Sequence, residues 1–437
     1  MVGKDFDVLV VGGGASGLIS AIYLAKKGLN VGLIKKASGA TQMTSGLFDV
    51  LGYMNDELVF NPIEGIKRLT KEKMGHPYSI VGEENVIEEL KEATSFFKKI
   101  VAEANYSYEG ELSKNILTIT PLGTYKPTCL APKWMYLNVL GFRKSKLLFV
   151  GVRNYVGVNP VYVARSFNSF LLPSLVKIDK EVEAQAEATY MYVPGLEEGA
   201  ATSFDVGIAL DDQENLKEFA SRLSKDAKGV DFLFLPALGY KKPMENQRYL
   251  KDELGTEVIE LPSVVPSIAG RRLTLALEDA AVKSGVKVHD ACKGLSAIRS
   301  NGECTAIRAS YGGSEIEMEA SAFILATGSY IAEGLVMEKN GVKEPLFEIP
   351  ISTPPNETYS EWAKKEPFPS AGHPSSFFGV NVDKTMRPLS NQKVFCDNLF
   401  ACGSILAGYD YATEKSGLGV CAVTALIAAK EAGEYIK

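Results

Sequence analysis

Residues 6–40 read FDVLVVGGGASGLISAIYLAKKGLNVGLIKKASGA, and this stretch decides the fold. Phe6 to Val11 is a short valine-rich run stopped by glycine, as expected of a strand buried on both faces. Gly12-x-Gly14-x-x-Gly17 follows at once, and from Ala15 to Lys27 the apolar residues recur at helical spacing. Gly12 permits the sharp turn, Gly14 leaves room for a pyrophosphate beside the backbone, and Gly17 lets the helix lie close on the strand. The first turn of such a helix presents free N–H groups and the positive end of its dipole to the phosphates. Strand, glycine turn and helix in this order predict a nucleotide-binding unit.

The second strand departs from the common pattern. A dinucleotide site ordinarily carries an acidic residue at its end, to bond the adenosine ribose. Here Val31 to Ile34 runs into Lys35 and Lys36. A lysine pair suits the 2′-phosphate of NADP, or is solvated surface charge. The glycine loop therefore gives a nucleotide with a pyrophosphate, and the rest of the chain must choose which.

Composition narrows the classes. A chain of 437 residues buries a large core and is expected to divide into two domains. The formal charge of −6 argues against nucleic acid as a main partner. No apolar run approaches the length that spans a bilayer, and the chain is already in its first strand by Phe6, so neither a membrane anchor nor a leader is expected. The six cysteines are scattered without a CxxC pair, which predicts no zinc or iron–sulfur site and a reducing, cytoplasmic setting. There are only three histidines, His76, His289 and His373.

Val86 to Ala104 carries apolar residues at helical spacing, and Leu147 to Val150 and Val230 to Leu235 are apolar runs of strand length. Nucleotide-domain features return after them. Arg271 to Lys283 reads as a helix and Gly285 to Val288 as a strand. A meander follows (Gly294–Arg299, a turn at Asn301-Gly302, Cys304–Ser310, Ser314–Met318), then a separate buried strand, Phe323 to Ala326, ending in Thr327-Gly328. The last segment, NLFACGSILAGYDYATEKSGLGVCAVTALIAAKEAG, reads as a strand, a glycine-rich loop and a helix from about Leu418. The expected fold is α/β: a discontinuous Rossmann-type flavin-binding domain (1–56, 266–330 and 385–437) with an inserted α/β substrate or cap domain (57–265 and 331–384).

This layout resembles the glutathione-reductase-like flavoproteins. That resemblance implies a strand at Asn398–Gly403 whose backbone lies near the ribityl-pyrophosphate linker, and a helix from Leu418 whose positive end faces the flavin N1/C2 edge. HPYSIVG (76–82), TPLGT (120–124), ELPSVVPSIAGRRL (260–273), FGVNVDKTMRP (378–388) and NLFACGSILAGYD (398–410), with SGLFDVL (45–51), resemble the B-type flavoprotein of anaerobic glycerol-3-phosphate dehydrogenase. The resemblance covers nearly the whole chain. It implies a flavin subunit of a quinone-linked complex oxidising sn-glycerol 3-phosphate, a small phosphorylated polyol, to dihydroxyacetone phosphate. It further implies a second flavoprotein and an iron–sulfur subunit as partners, and a cytoplasmic place at the inner face of the membrane through them. FAD is the expected cofactor because the loop suits a pyrophosphate; FMN is the alternative.

The cofactor-binding candidates are Gly12, Gly14, Ala15, Ser16, Gly17 and Lys35, then Ser45 and Gly46 after the second strand. Ala326, Thr327 and Gly328, Gly403 and Ser404, and Gly417, Leu418 and Gly419 complete them. Alcohol oxidation also needs a base and cations for the phosphate. His76 in HPYS is the candidate base, with a backbone-bonded loop histidine as the alternative. His289 reads as structural, and His373 ranks below His76. Lys126, Arg272 and Arg387, with Arg271, are the candidate phosphate groups. Two roles stay open: a dehydrogenase with its own substrate pocket, and an electron-relay or assembly flavoprotein. An FAD oxidoreductase of another small hydroxy acid or alcohol is a third.

Overall fold

The computed structural model describes residues 4–339, 341–353, 359–367 and 369–437; the rest of the expected segments 1–56 and 331–384 lies outside the described residues. The chain begins β1 (Phe6–Val11), α1 (Ala15–Lys26) and β2 (Val31–Lys35), then α2 (Pro62–Glu72), α3 (Pro77–Val81) and α4 (Glu83–Ala102). It continues through β3 (Ser145–Val152), α5 (Pro160–Ser166), α6 (Leu172–Ile178), β4 (Ala184–Met191), α7 (Ser203–Asp211) and α8 (Gln213–Leu223). Next come β5 (Phe232–Leu235), α9 (Pro243–Leu254), β6 (Glu257–Glu260) and α10 (Ile268–Lys283). The strands β7 (Lys287–Asp290), β8 (Lys293–Ser300), β9 (Glu303–Tyr311), β10 (Ser314–Leu325) and β11 (Leu399–Ala401) follow, before α11 (Tyr411–Glu414) and α12 (Gly417–Tyr435).

Two compact units form: residues 1–41, 48–106 and 274–437, and residues 42–47 with 107–273. In the first, the sheet order is β7-β2-β1-β10-β9-β8, with β11 also on β10. Val8 pairs in parallel with Val31 on one side and Ala322 on the other. These central strands are buried throughout because helices cover parallel sheets, so their sequences are continuously apolar. α1, with nine of its twelve residues buried, packs against α12.

The meander and the strand before Thr327 differ from expectation. They share one strand, β10, which pairs antiparallel with β9 from Ser314 to Glu319 and parallel with β1 from Ala320 to Leu325. No turn residue separates the two parts. The alternating Glu315-Ile316-Glu317-Met318-Glu319, wet on one face, passes directly into the fully buried Phe323-Ile324-Leu325.

The unit boundaries also fall elsewhere than the sequence suggests. Residues 57–106 group with the nucleotide unit, because the apolar stripe of α4 (Val86, Leu90, Ala93, Phe97) packs on α12. Residues 331–384 do so as well: Ala297 N–H bonds Leu346 O, and Ala407 N–H bonds Val380 O.

The second unit is built on a four-stranded parallel sheet, order β4-β3-β5-β6. Its middle is aromatic, with Phe149 stacked on Phe234 at 4.7 Å and both buried. Phe149→Ala should therefore destabilise this unit by about 3–5 kcal/mol, the usual cost of emptying a buried aromatic site. Urea unfolding followed by tryptophan fluorescence measures it.

Candidate functional site

Four separated segments of the first unit meet at the carboxyl ends of its parallel strands, where ligands bind in such sheets. Gly12, at φ 128°, lies so close to Ala326 that an added β-carbon would come within 2.1 Å of the Ala326 carbonyl oxygen. A β-carbon on Gly17 would come within 1.9 Å of Gly12 O. Gly403 is pressed on Ser16 in the same way, at 2.2 Å from its Oγ, and Gly328 neighbours Ser404. Gly403 N–H bonds Thr424 Oγ1 of α12 at 3.0 Å. Gly12, Ser16, Gly17, Ala326, Gly328, Gly403 and Ser404 are thus brought together, far apart as they are in sequence.

Gly14 is different. It has extended backbone (φ −82°, ψ 179°), and a β-carbon there would meet only Thr41 Oγ1, at 3.8 Å. The space beside it is open, as close approach of a phosphate needs. Thr41 Oγ1 accepts the Ala15 N–H at 2.9 Å, and no acidic residue stands in the first turn of α1, so that end keeps its positive character. Thr327 Oγ1, Tyr330 Oη and Tyr409 Oη are buried polar atoms with no hydrogen-bond partner among the described residues. An open glycine beside a helix N-terminus and hydroxyls left to be satisfied fit a phosphate-bearing, polar cofactor.

Sequence reasoning missed Thr41, Thr424 and Cys421. Burial pushes the Cys421 thiol up, while the Ser16 hydroxyl and Ser404 N–H bond its sulfur, joining α1, the Gly403 loop and α12. A side chain that joins segments so distant carries no local signal.

Lys35 is neither surface charge nor a free cation for a 2′-phosphate. It is 5% exposed, its stem crosses Gly13, and its Nζ lies 2.5 Å from Glu278 and 3.2 Å from Asp290. Burial works to lower its pKa, and the two carboxylates outweigh that and raise it. Gly417 and Leu418 open α12. Gly419 instead packs: its N–H bonds Asp49 O, and a β-carbon there would come within 2.4 Å of Tyr78 Oη.

The catalytic candidates do not converge. His76 is fully buried at the N-cap of α3; its Nδ1 accepts the Tyr78 N–H at 3.0 Å and its Nε2 lies 3.1 Å from Glu414. With both ring nitrogens engaged and no exposed surface, it is not placed to take a substrate proton. Arg387 is held by Asp383. His289 pairs in β7 against Phe6 and Tyr311, and His373 Nδ1 accepts the Lys364 N–H.

Ser45, Gly46, Lys126 and Arg272 belong to the second unit. Lys126 Nζ donates to Ser45 Oγ at 2.9 Å, and Gly46 (φ 73°) packs on Ala269. Arg272, expected at the phosphate, is buried: it donates to both oxygens of Glu260, at 2.6 and 3.0 Å, and to Gly239 O. Its charge neutralises a fully buried carboxylate, which leaves none for a ligand.

The FAD binding domain family model matches residues 7–420, and the chain belongs to that family. The fold is accordingly an FAD-binding α/β fold and the cofactor is FAD. Among curated proteins, the B-type flavoprotein of anaerobic glycerol-3-phosphate dehydrogenase from Yersinia enterocolitica is 28% identical over 437 residues, covering 98% of this chain and 97% of that one. Its counterpart in Vibrio vulnificus is also 28% identical, over 98% and 96%. Among solved structures, the open conformation of a flavocytochrome c3 fumarate reductase aligns with 99% of this chain and 79% of that one, at 11% identity and a TM-score of 0.46.

Two variants test the site. Gly14→Val meets open space and unstrained backbone, so the protein should fold, yet its FAD content should collapse because the side chain fills the phosphate's position. Normal FAD content would show that the phosphates lie elsewhere. Arg272→Ala leaves Glu260 buried without its cation, and should cost about 3–5 kcal/mol in urea unfolding while FAD content per folded protein holds.

Proposed function

We propose that this chain is the FAD-carrying flavoprotein subunit of a quinone-linked glycerol-3-phosphate dehydrogenase. Within it, the chain relays electrons and does not itself oxidise the polyol phosphate. FAD supplies the two-electron acceptor, and the protein supplies its binding and the path onward. Similarity to one subunit of the anaerobic dehydrogenases, over nearly its full length, supports membership of a multi-subunit enzyme. Its partners would be a second flavoprotein, holding the substrate site, and an iron–sulfur protein. No helix among the described residues is long and apolar enough to cross a membrane, so attachment at the inner face would run through those partners.

One observation carries the relay role: the groups suited to alcohol oxidation and phosphate binding are committed inside the protein. His76 is spent on Glu414 and the α3 backbone, Arg272 on Glu260, and Arg387 on Asp383. A secondary alcohol needs a base within hydrogen-bond reach, and a phosphate dianion needs cations free to face it.

Anaerobic titration of the purified FAD-loaded protein tests the proposal. Glycerol 3-phosphate should leave the visible flavin absorbance unchanged, whereas dithionite, or the reduced partner flavoprotein, should bleach it. Rapid bleaching by glycerol 3-phosphate alone would place the substrate site on this chain and overturn the relay role.

A further inference from the structure

His76 stands at the centre of a buried polar network that the relay role leaves unexplained. Its Nδ1 accepts the Tyr78 N–H, so the ring proton sits on Nε2 and is donated to Glu414 Oε2. Glu414 Oε1 takes Lys73 Nζ at 2.9 Å, Ser416 Oγ donates to Oε2 at 3.3 Å, and the Glu414 carbonyl accepts the Gly52 N–H at 2.8 Å. Burial alone would raise the Glu414 pKa; His76 and Lys73 outweigh it and hold the carboxylate below its usual range.

Every member of this network borders the start of α12. Glu414 closes α11, Lys415 reverses the chain in the left-handed region at φ 52°, and Ser416 is the N-cap of α12. The Ser416 hydroxyl does not cap the helix; it turns back to Glu414. α3 reaches α12 by a second route: Tyr78 Oη bonds Val50 O at 2.9 Å and fills the space a side chain on Gly419 would need. The first turn of α12 contains no acidic residue, so its positive end is uncompensated from within the helix.

We infer that His76 is a positioning residue for the flavin: through its Nε2–H bond to Glu414 it fixes the Glu414–Ser416 turn, and so the place and charge of the α12 N-terminus. The inference rests on FAD lying against that first turn. The imidazole does two jobs that separate chemically. Nδ1 caps α3, a local contribution to stability. Nε2 restrains a buried carboxylate just before α12, which sets the electrostatics that the cofactor meets.

Two substitutions divide these jobs. Asparagine keeps an acceptor at the N-cap but is too short to reach Glu414; glutamine reaches toward Glu414 but caps α3 poorly. FAD affinity, from flavin fluorescence quenching, and the flavin midpoint potential, by dye equilibration, are measured beside thermal unfolding. His76→Gln should keep both flavin properties near wild type while melting earlier. His76→Asn should melt near wild type, with a displaced midpoint potential and FAD affinity about tenfold weaker, as for loss of one charge-assisted hydrogen bond. Ser416→Ala, a small change at the turn, should displace the potential in the same direction and guards against a His76 variant that does not fold. Flavin properties that follow the α3 cap, or that stay unchanged in His76→Asn and Ser416→Ala, would overturn the inference. A wild-type protein that takes up no FAD would sink the cofactor placement beneath it as well.

Discussion

The carbonyl oxygen of Gly12 occupies the place where a β-carbon on Gly17 would stand, and the carbonyl of Ala326 occupies the place of one on Gly12. This backbone-to-backbone contact draws the end of β1, the start of α1 and the end of β10 into one layer thinner than side chains allow. It has consequences further out. Ser16, presented by the first turn of α1, meets Gly403, and Gly403 in turn ties to Thr424 of α12. Two helix N-termini are thereby set around a backbone-lined opening, and backbone N–H groups with aligned dipoles are what a cofactor pyrophosphate requires. FAD binding follows from the removal of side chains more than from their presence.

Charged side chains play the opposite part. Lys35, Arg272 and His76 look from sequence like cations or bases awaiting a ligand, yet each is turned inward onto a carboxylate. Glu278 lies 243 residues from Lys35, and Glu414 lies 338 residues from His76. Pairings over such separations leave no periodicity or spacing to detect, so the free-ligand role and the internal-partner role look alike in a linear chain. Only packing distinguishes them, and breaking a pair in a buried setting costs more than making it gains.

The parts legible in the sequence are those whose physics is local. The β1–α1–β2 unit shows in valine runs, glycine spacing and helical periodicity, and α4 and α12 show in their apolar faces. Local physics also explains what was hidden. β10 changes from antiparallel to parallel pairing without a turn residue, and a strand cannot advertise which neighbour it will take. α4 carries an apolar stripe that fits either unit; its packing on α12 assigns it to the nucleotide unit, against the boundary its position suggests. Thr41, which bonds the Ala15 N–H at the mouth of the glycine loop, sits in a segment with no motif at all.

A glycine-lined opening of this kind is shaped for a pyrophosphate with an adenosine beyond it. Heating the purified protein and identifying the released chromophore by chromatography and mass spectrometry tests that most directly. The expected result is FAD, equimolar with protein. Release of FMN would remove the need for the pyrophosphate-shaped opening at Gly14, and release of a nicotinamide dinucleotide would contradict the cofactor outright.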